Sequence, residues 1–385
     1  MSTDLSSTPR ARAVVDLSAV RHNVAQLREV APTAGVMAVV KADGYGHGLL
    51  PCAFEAVAAG AAYLGVALPE EALLLRAAGI DVPILTWLLP TDAAAEWIPV
   101  VAADIEVSVA TGQGLRCAIE AATATGTAAR VHLKIDTGLG RGGAAEADWT
   151  NLVTQVAQAR AAGSLEVIGI WSHLAFADEP DNPVVRHQTE VFGQAIAQAE
   201  ALGVTPVLRH LANSAATLRS PQAHFDLVRP GIAVYGLSPG PAVGTAGELG
   251  LRPAMTLTGR VAQVKRLPAG HGISYGHQYT TTRETTVALV PLGYADGIPR
   301  AATNVGPVLV AGVRRTIAGR VCMDQVVLDV GDDAVSEGDE IVFFGPGDRG
   351  EPTADDWAEA TGTIGYEIVT RIGPRVPKVY IGGSA

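Results

Sequence analysis

Lys41 ends an apolar, β-branched run and opens a glycine-rich turn, in the string Val39-Val40-Lys41-Ala42-Asp43-Gly44-Tyr45-Gly46-His47-Gly48. The residues before it, Gly35 to Val40, read as a short buried strand. The lysine then stands at the strand's carboxyl end, the edge on which parallel α/β folds build their sites. Burial there disfavours the ammonium and lowers its pKa, which makes the amine a usable base or a nucleophile able to condense with an aldehyde. A solvated lysine that merely closes a strand has the same local sequence, and for a lone residue that is the commoner case. Lys41 is not alone, however. Lys134, His173, Asn213-Ser214 and Arg229 also fall at or just past the carboxyl ends of apolar runs, where a scatter of structural polar residues would also reach strand starts and helices.

Eight such runs alternate with helical patterns: Val36–Val40, Ala62–Val66, Pro83–Trp87, Ile105–Val109, Arg130–Ile135, Glu166–Trp171, Val207–Leu211 and Leu227–Val234. One helical pattern begins at Pro69-Glu70-Glu71, with acids in its first turn, and ends near Gly79. Eight βα units in this length predict an α/β fold with a (β/α)8 barrel over residues 1–240, in preference to an open doubly wound sheet. The pattern then changes to β-rich runs with Gly and Asp turns, namely Thr285–Leu292, Pro307–Val313, Arg315–Val330 and Glu340–Phe344. These predict a mainly antiparallel β domain over 241–385, entered through a segment of linker composition at 241–250. Ala11–Leu17 reads as a strand before a helix starting near Ser18, and that strand is free to pair with the second domain.

At 385 residues two domains are the natural expectation, and 48% hydrophobic residues suffice for a sizeable core. A net charge of -11 argues against nucleic acid or an anionic membrane as partner. Cys52, Cys117 and Cys322 are too scattered for a zinc or redox motif, so they read as reduced thiols in a cytoplasmic protein with no metal. The first ten residues lack the apolar core of a signal peptide and read as a frayed terminus. The longest uncharged stretch, Ala56 to Pro69, falls short of the roughly 20 residues needed to span a bilayer.

The lysine string resembles the pyridoxal-phosphate signature of alanine racemases, and further strings follow in order. They are Lys134-Ile135-Asp136-Thr137-Gly138-Leu139-Gly140-Arg141, Ser172-His173 with Ala177-Asp178, His210-Leu211-Ala212-Asn213-Ser214, and Val228-Arg229-Pro230-Gly231-Ile232. Ile273-Ser274-Tyr275-Gly276, Gly293-Tyr294-Ala295-Asp296-Gly297 and Arg320-Val321-Cys322-Met323-Asp324-Gln325 complete the set. Each string is weak by itself, whereas the ordered set covers nearly the whole chain. Leu174 stands where the resemblance expects an aromatic residue.

This resemblance implies a racemase that interconverts L- and D-alanine, supplies D-alanine for peptidoglycan, and works as a homodimer whose composite sites draw on both subunits. It implies pyridoxal 5'-phosphate on Lys41, with Tyr45, Ser214, the amides of Gly231 and Ile232, and Tyr366 around the phosphate. Asn213 belongs to the same cofactor set. Taken alone, Tyr45 would equally pack over the barrel mouth, and Tyr366 lies in an ordinary strand pattern. Arg229 is implied at the ring nitrogen, supported by His210; an arginine donates there and never accepts, so it leaves the ring neutral and weakens its pull on electrons. Outside this context Arg229 would read as a salt-bridged barrel arginine and His210 as a core histidine.

Racemisation takes a proton from one face of a carbon and returns one on the other, so two bases are the simplest solution. The resemblance assigns these to Lys41 and Tyr275. A phenol of ordinary pKa near 10 is a weak base at neutral pH, which makes Arg141 and His173 its natural companions. Arg141 is implied at the substrate carboxylate, beside a Lys134 open to carbamylation. Met323, Asp324 and Tyr294 are implied to close the substrate pocket from a partner subunit. A decarboxylase of the same fold is the alternative, but it would want an acid where Arg229 stands; a racemase of broader small-amino-acid range is another. A cofactor-carrier barrel would have no use for the β domain.

Overall fold

The computed structural model describes residues 9–179 and 181–383. Most of the stretch expected to be a frayed terminus lies outside the described residues. The chain forms two compact units. Among the described residues, one comprises those up to Ala19, Tyr45–Gly48, and those from Arg252 onward; the other comprises those of Val20–Gly44 and Leu49–Leu251.

Strand β1 (Ala11–Asp16) belongs to the first unit, where it pairs antiparallel with Met255–Arg260 and parallel with Lys378–Ile381. The second unit is the barrel. Its strands are β2 (Gly35–Val39), β3 (Tyr63–Val66), β4 (Ile84–Thr86), β5 (Glu106–Val109), β6 (Ala129–Lys134), β7 (Leu165–Trp171), β8 (Leu208–His210) and β9 (Leu227–Val228). Each of β2 to β7 pairs in parallel with the next, and β9 pairs in parallel with β2. Backbone bonds from Asp226 to Arg209 and from Arg229 to Ala212 close the ring between β8 and β9. Parallel strands need long crossovers, and the amphipathic helices supply them, for example Gly112–Thr125, Glu146–Ala161 and Pro183–Ala201. Thr111 and Asn182 cap two of these through their side chains, and Gly126 ends the first in a left-handed conformation.

The last expected strand, Leu227–Val234, is cut to two residues. Pro230 supplies no N–H to a ladder, and the chain turns into a 3-10 turn at Ile232–Tyr235. The first unit is built on a six-stranded sheet and two smaller ones. Its expected long run Arg315–Val330 is two strands, Val313–Thr316 and Val326–Gly331, separated by an irregular loop that carries Met323 and Asp324. Tyr366, read as lying in a strand, is on the short helix Gly365–Thr370.

Candidate active site

Lys41 follows β2 at once and enters a left-handed turn: Ala42, Asp43, Gly44 and Tyr45 have φ of 54°, 54°, 60° and 52°. Left-handed L-residues cost roughly 1–2 kcal/mol each, so something must hold this turn. Glu71 is the latch. One carboxylate oxygen accepts the Ala42 amide at 2.6 Å, while the other accepts those of Ala67 and Leu68 at 3.1 Å. Asp43 accepts the Leu49 amide at 2.8 Å, and the Gly44 amide reaches the Val40 carbonyl at 2.9 Å. Burial, then the Arg141 charge, hold the Lys41 amine below its usual pKa against the opposing pull of Glu71.

Lys134 ends β6 with its ammonium 4.3 Å from the centre of the Trp171 ring, and the Arg229 guanidinium carbon lies 4.9 Å from the same ring. Burial first, then Arg229 and Arg141, lower Lys134 to about 8. Asp136 spends its carboxylate on the amides of Gly138, Leu139 and Gly140, shaping the loop that ends at Arg141. Because Lys134 has a folded pKa near 8 against 10.5, the unfolded chain binds more protons between those values, and its contribution to stability rises with pH across that window. Urea unfolding from pH 7 to 10 in bicarbonate-free buffer should therefore show a flatter rise for Lys134→Met than for the parent chain. An equal rise in both would contradict this environment.

Arg229 is buried and follows β9 directly. It donates to the Ser172 carbonyl at 2.7 Å, the Leu211 carbonyl at 3.1 Å and His210 Nδ1 at 3.1 Å, with His173 Nδ1 at 3.4 Å. Among the described residues no carboxylate pairs with it. Burial pulls it down to about 9, which leaves it charged at neutral pH. Burial and then the Arg229 charge hold both His173 and His210 well below the usual histidine range, so both are neutral. Ser214 heads the short helix Ser214–Arg219, capped by Asn213, whose side chain accepts the Ala216 amide at 3.1 Å. The Ser214 hydroxyl oxygen accepts the Gly231 amide at 2.8 Å, which leaves its own proton to donate. Ile232 opens a 3-10 turn whose first amides have no acceptor within it.

The structure thus brings Lys41, Lys134, Arg141, His173 and Arg229 within electrostatic reach of one another at the strand ends. The acids that oppose this charge, Glu71 and Asp136, are both committed to backbone amides. Such a surplus of cations calls for an anionic ligand. Residues not singled out from sequence hold the frame. Gln188, fully buried, donates to Thr137 Oγ1 and to the His173 carbonyl, both at 3.2 Å, and accepts the Ala175 amide at 2.9 Å. Trp171 stacks on His210 at 5.7 Å and donates to Ser108.

The first unit gathers the other candidates. Ser274, at φ 61°, donates to the Arg320 carbonyl at 2.7 Å and contacts Cys322, which sets Tyr275 on a turn beside the Arg320–Asp324 loop. Tyr294 and Ala295 donate backbone bonds to the carbonyls of Cys322 and Met323, a contact so close that a Cβ at Gly293 would lie 2.4 Å from both oxygens. Asp324 pairs with Arg375 at 2.7 Å. Tyr275 is 72% exposed, and Met323 and Tyr294 are also exposed. Tyr45 and Tyr366 face one another with ring centres 6.2 Å apart, and burial raises the Tyr45 phenol far above its usual range. Among the described residues no cluster could hold a metal ion, and no helix is long and apolar enough to cross a membrane.

Residues 15–239 match the family model described as alanine racemase, N-terminal domain, and residues 254–380 match alanine racemase, C-terminal domain. An alanine racemase of Frankia casuarinae is 61% identical over 97% of this chain and 96% of its own length. The crystal structure of alanine racemase from D-cycloserine-producing Streptomyces lavendulae, 56% identical, matches with a TM-score of 0.97 over 98% of this chain and 99% of that one. The alanine racemase structure from Streptomyces coelicolor is 57% identical, with a TM-score of 0.95 over 97% and 98% of the two chains. The ordered strand-end cations, the first unit with its tyrosine turn, and these matches along both parts of the sequence lead to one assignment: the chain belongs to the alanine racemase family.

Proposed function

We propose that this chain racemises alanine with pyridoxal 5'-phosphate held on Lys41, using Lys41 and Tyr275 as bases on opposite faces of the α-carbon. The observation that carries the reading is the cation surplus around Lys41, with Arg229 able only to donate. The residues fit the cofactor. Lys41 offers an amine of lowered pKa to its aldehyde, the Ser214 hydroxyl and the Ile232 amide offer donors to its phosphate while the expected Gly231 amide is already given to the Ser214 oxygen, and Arg229 offers a donor to its ring nitrogen. Asn213 keeps Ser214 in place as helix cap, His210 holds Arg229, and the hydroxyls of Tyr45 and Tyr366 are further candidates for the phosphate. When bound, this cofactor supplies an electron sink that acidifies the substrate's α-hydrogen.

Arg141 would pair with the substrate carboxylate. Lys41 Nζ, uncharged at lower pH than an ordinary lysine, would take or return the α-proton on one face, and the Tyr275 oxygen would do so on the other. Neutral His173 keeps a further positive charge away from the site. Met323, Asp324 and Tyr294 would border the substrate's side chain and favour a small one. Lys134, with its amine partly uncharged near neutral pH, suits carbamylation, which would turn a repelling cation into an anion beside Arg141. Cys52, Cys117 and Cys322, none of them in a disulfide, accord with a cytoplasmic, reducing setting, and the product suits peptidoglycan synthesis. Chiral chromatography after incubation with L-alanine and the cofactor should show D-alanine. L-Serine tests the range, since one small group is worth only roughly 1–3 kcal/mol of discrimination. Carbon dioxide release without D-alanine would favour the decarboxylase instead.

The exposure of Tyr275 supports a homodimer in which a second copy covers it and each site takes its tyrosine from the partner. Lys41→Ala and Tyr275→Phe should then complement one another. A mixed dimer rebuilds one working site of two, and with random assortment half the dimers are mixed, so activity recovers to about a quarter of the parent level. Co-expression with two tags and purification of the mixed species checks this, the purified mixed dimer being expected at about half the parent level. A verified mixed dimer no more active than its parents would remove the shared site.

A further inference from the structure

Inside the barrel runs a hydrogen-bond chain that the roles above leave unused. Glu106 on β5, His132 on β6 and His210 on β8 are all fully buried. Glu106 Oε2 lies 2.6 Å from His132 Nε2, His132 Nδ1 lies 2.8 Å from His210 Nε2, and His210 Nδ1 lies 3.1 Å from Arg229 Nη1. At the far end Arg130 pairs with Glu106 Oε1 at 2.7 Å. One direction of donation satisfies every link. A guanidinium only donates, so His210 Nδ1 accepts and its ring proton sits on Nε2. That proton points at His132 Nδ1, which must accept in turn. The His132 proton is then on Nε2 and is donated to the Glu106 carboxylate. A proton on the wrong nitrogen of either ring would set two donors, or two acceptors, against each other.

The two histidines sit on strands two apart, roughly 10 Å across the sheet. They meet because the residue between them on β7 is Gly169, paired with His132 on one side and Leu208 on the other. A Cβ at Gly169 would lie 2.4 Å from His132 Nδ1 and 3.2 Å from His210 Nε2. Its φ is not left-handed, so glycine serves here to leave space.

We propose that Glu106 is a positioning residue for Arg229: through His132 and His210 it fixes both ring tautomers, so that His210 offers Arg229 only a lone pair and holds the guanidinium in one orientation. The proposal rests on Arg229 facing the cofactor's ring nitrogen, as inferred above. Nitrogen NMR of the holoenzyme labelled with 15N-histidine should find each ring protonated on Nε2 and not on Nδ1. Either ring found protonated on Nδ1 overturns the chain.

Gly169→Ala, and Glu106→Gln as the shape-conserving variant should alanine at 169 prevent folding, are expected to add a second tautomer or a titration to one of these rings. The cofactor's absorption should gain a pH-dependent transition, and kcat should fall about tenfold with KM within about twofold, as expected for misplacement of a group rather than loss of binding. Locked tautomers with parent kcat in both variants, or shifted tautomers with unchanged absorption and kcat, overturn the positioning role. A parent enzyme with the stated tautomers but no cofactor band would instead overturn the cofactor reading of Arg229.

Discussion

Lys41→Ala is expected to lose the covalent link to the cofactor and at least about 10³-fold in turnover, because one side chain is assigned both the attachment and one of the two bases. Among the described residues no other amine is placed to replace it. Lys134 ends a different strand with its ammonium over Trp171, whereas Lys41 leads the left-handed turn that Glu71 latches. Borohydride reduction of the parent enzyme followed by peptide mass spectrometry should place the reduced cofactor on Lys41, and the variant should carry none. Attachment to Lys134 or Lys265 in the parent would contradict the assignment.

Tyr275→Phe should act on direction. Loss of a general base costs on the order of 10²–10⁴-fold, and with one base per face the loss falls on proton abstraction from one enantiomer. The other enantiomer still meets Lys41 and should keep exchanging its α-proton with solvent at a rate much nearer the parent's. Single-turnover exchange in deuterated water, followed separately for each enantiomer, reads the two faces independently. Equal losses would mean a structural tyrosine or a single base.

Much of this frame was legible in the chain. The barrel strands are apolar, β-branched and separated by helical periodicity, so their carboxyl ends, and the polar residues placed there, could be located. The conformation around Lys41 could not. Glu71 reads as an acid in the first turn of a helix, and only the fold shows it holding the amide of Ala42. Gly169 is a lone glycine in a strand, a sign of close approach, but the histidines that approach come from sequence positions 132 and 210. Tyr366 lies in a short apolar run that fits either period, so its strand-like pattern does not exclude the helix it occupies. The capping box at Thr353 and Asp356, which starts the helix just before it, was the available sign that this region turns helical.

The central claim is that two different bases face the α-carbon, and first-turnover isotope content tests it most directly. The enzyme is mixed with protiated L-alanine in deuterated water, quenched before a second turnover, and the D-alanine formed is analysed for hydrogen at the α-carbon. Two bases predict deuterium there, since the proton taken from one face stays on one residue while the other residue delivers a solvent-derived deuteron. D-alanine that keeps the substrate's own α-proton would show one base serving both faces and contradict the account.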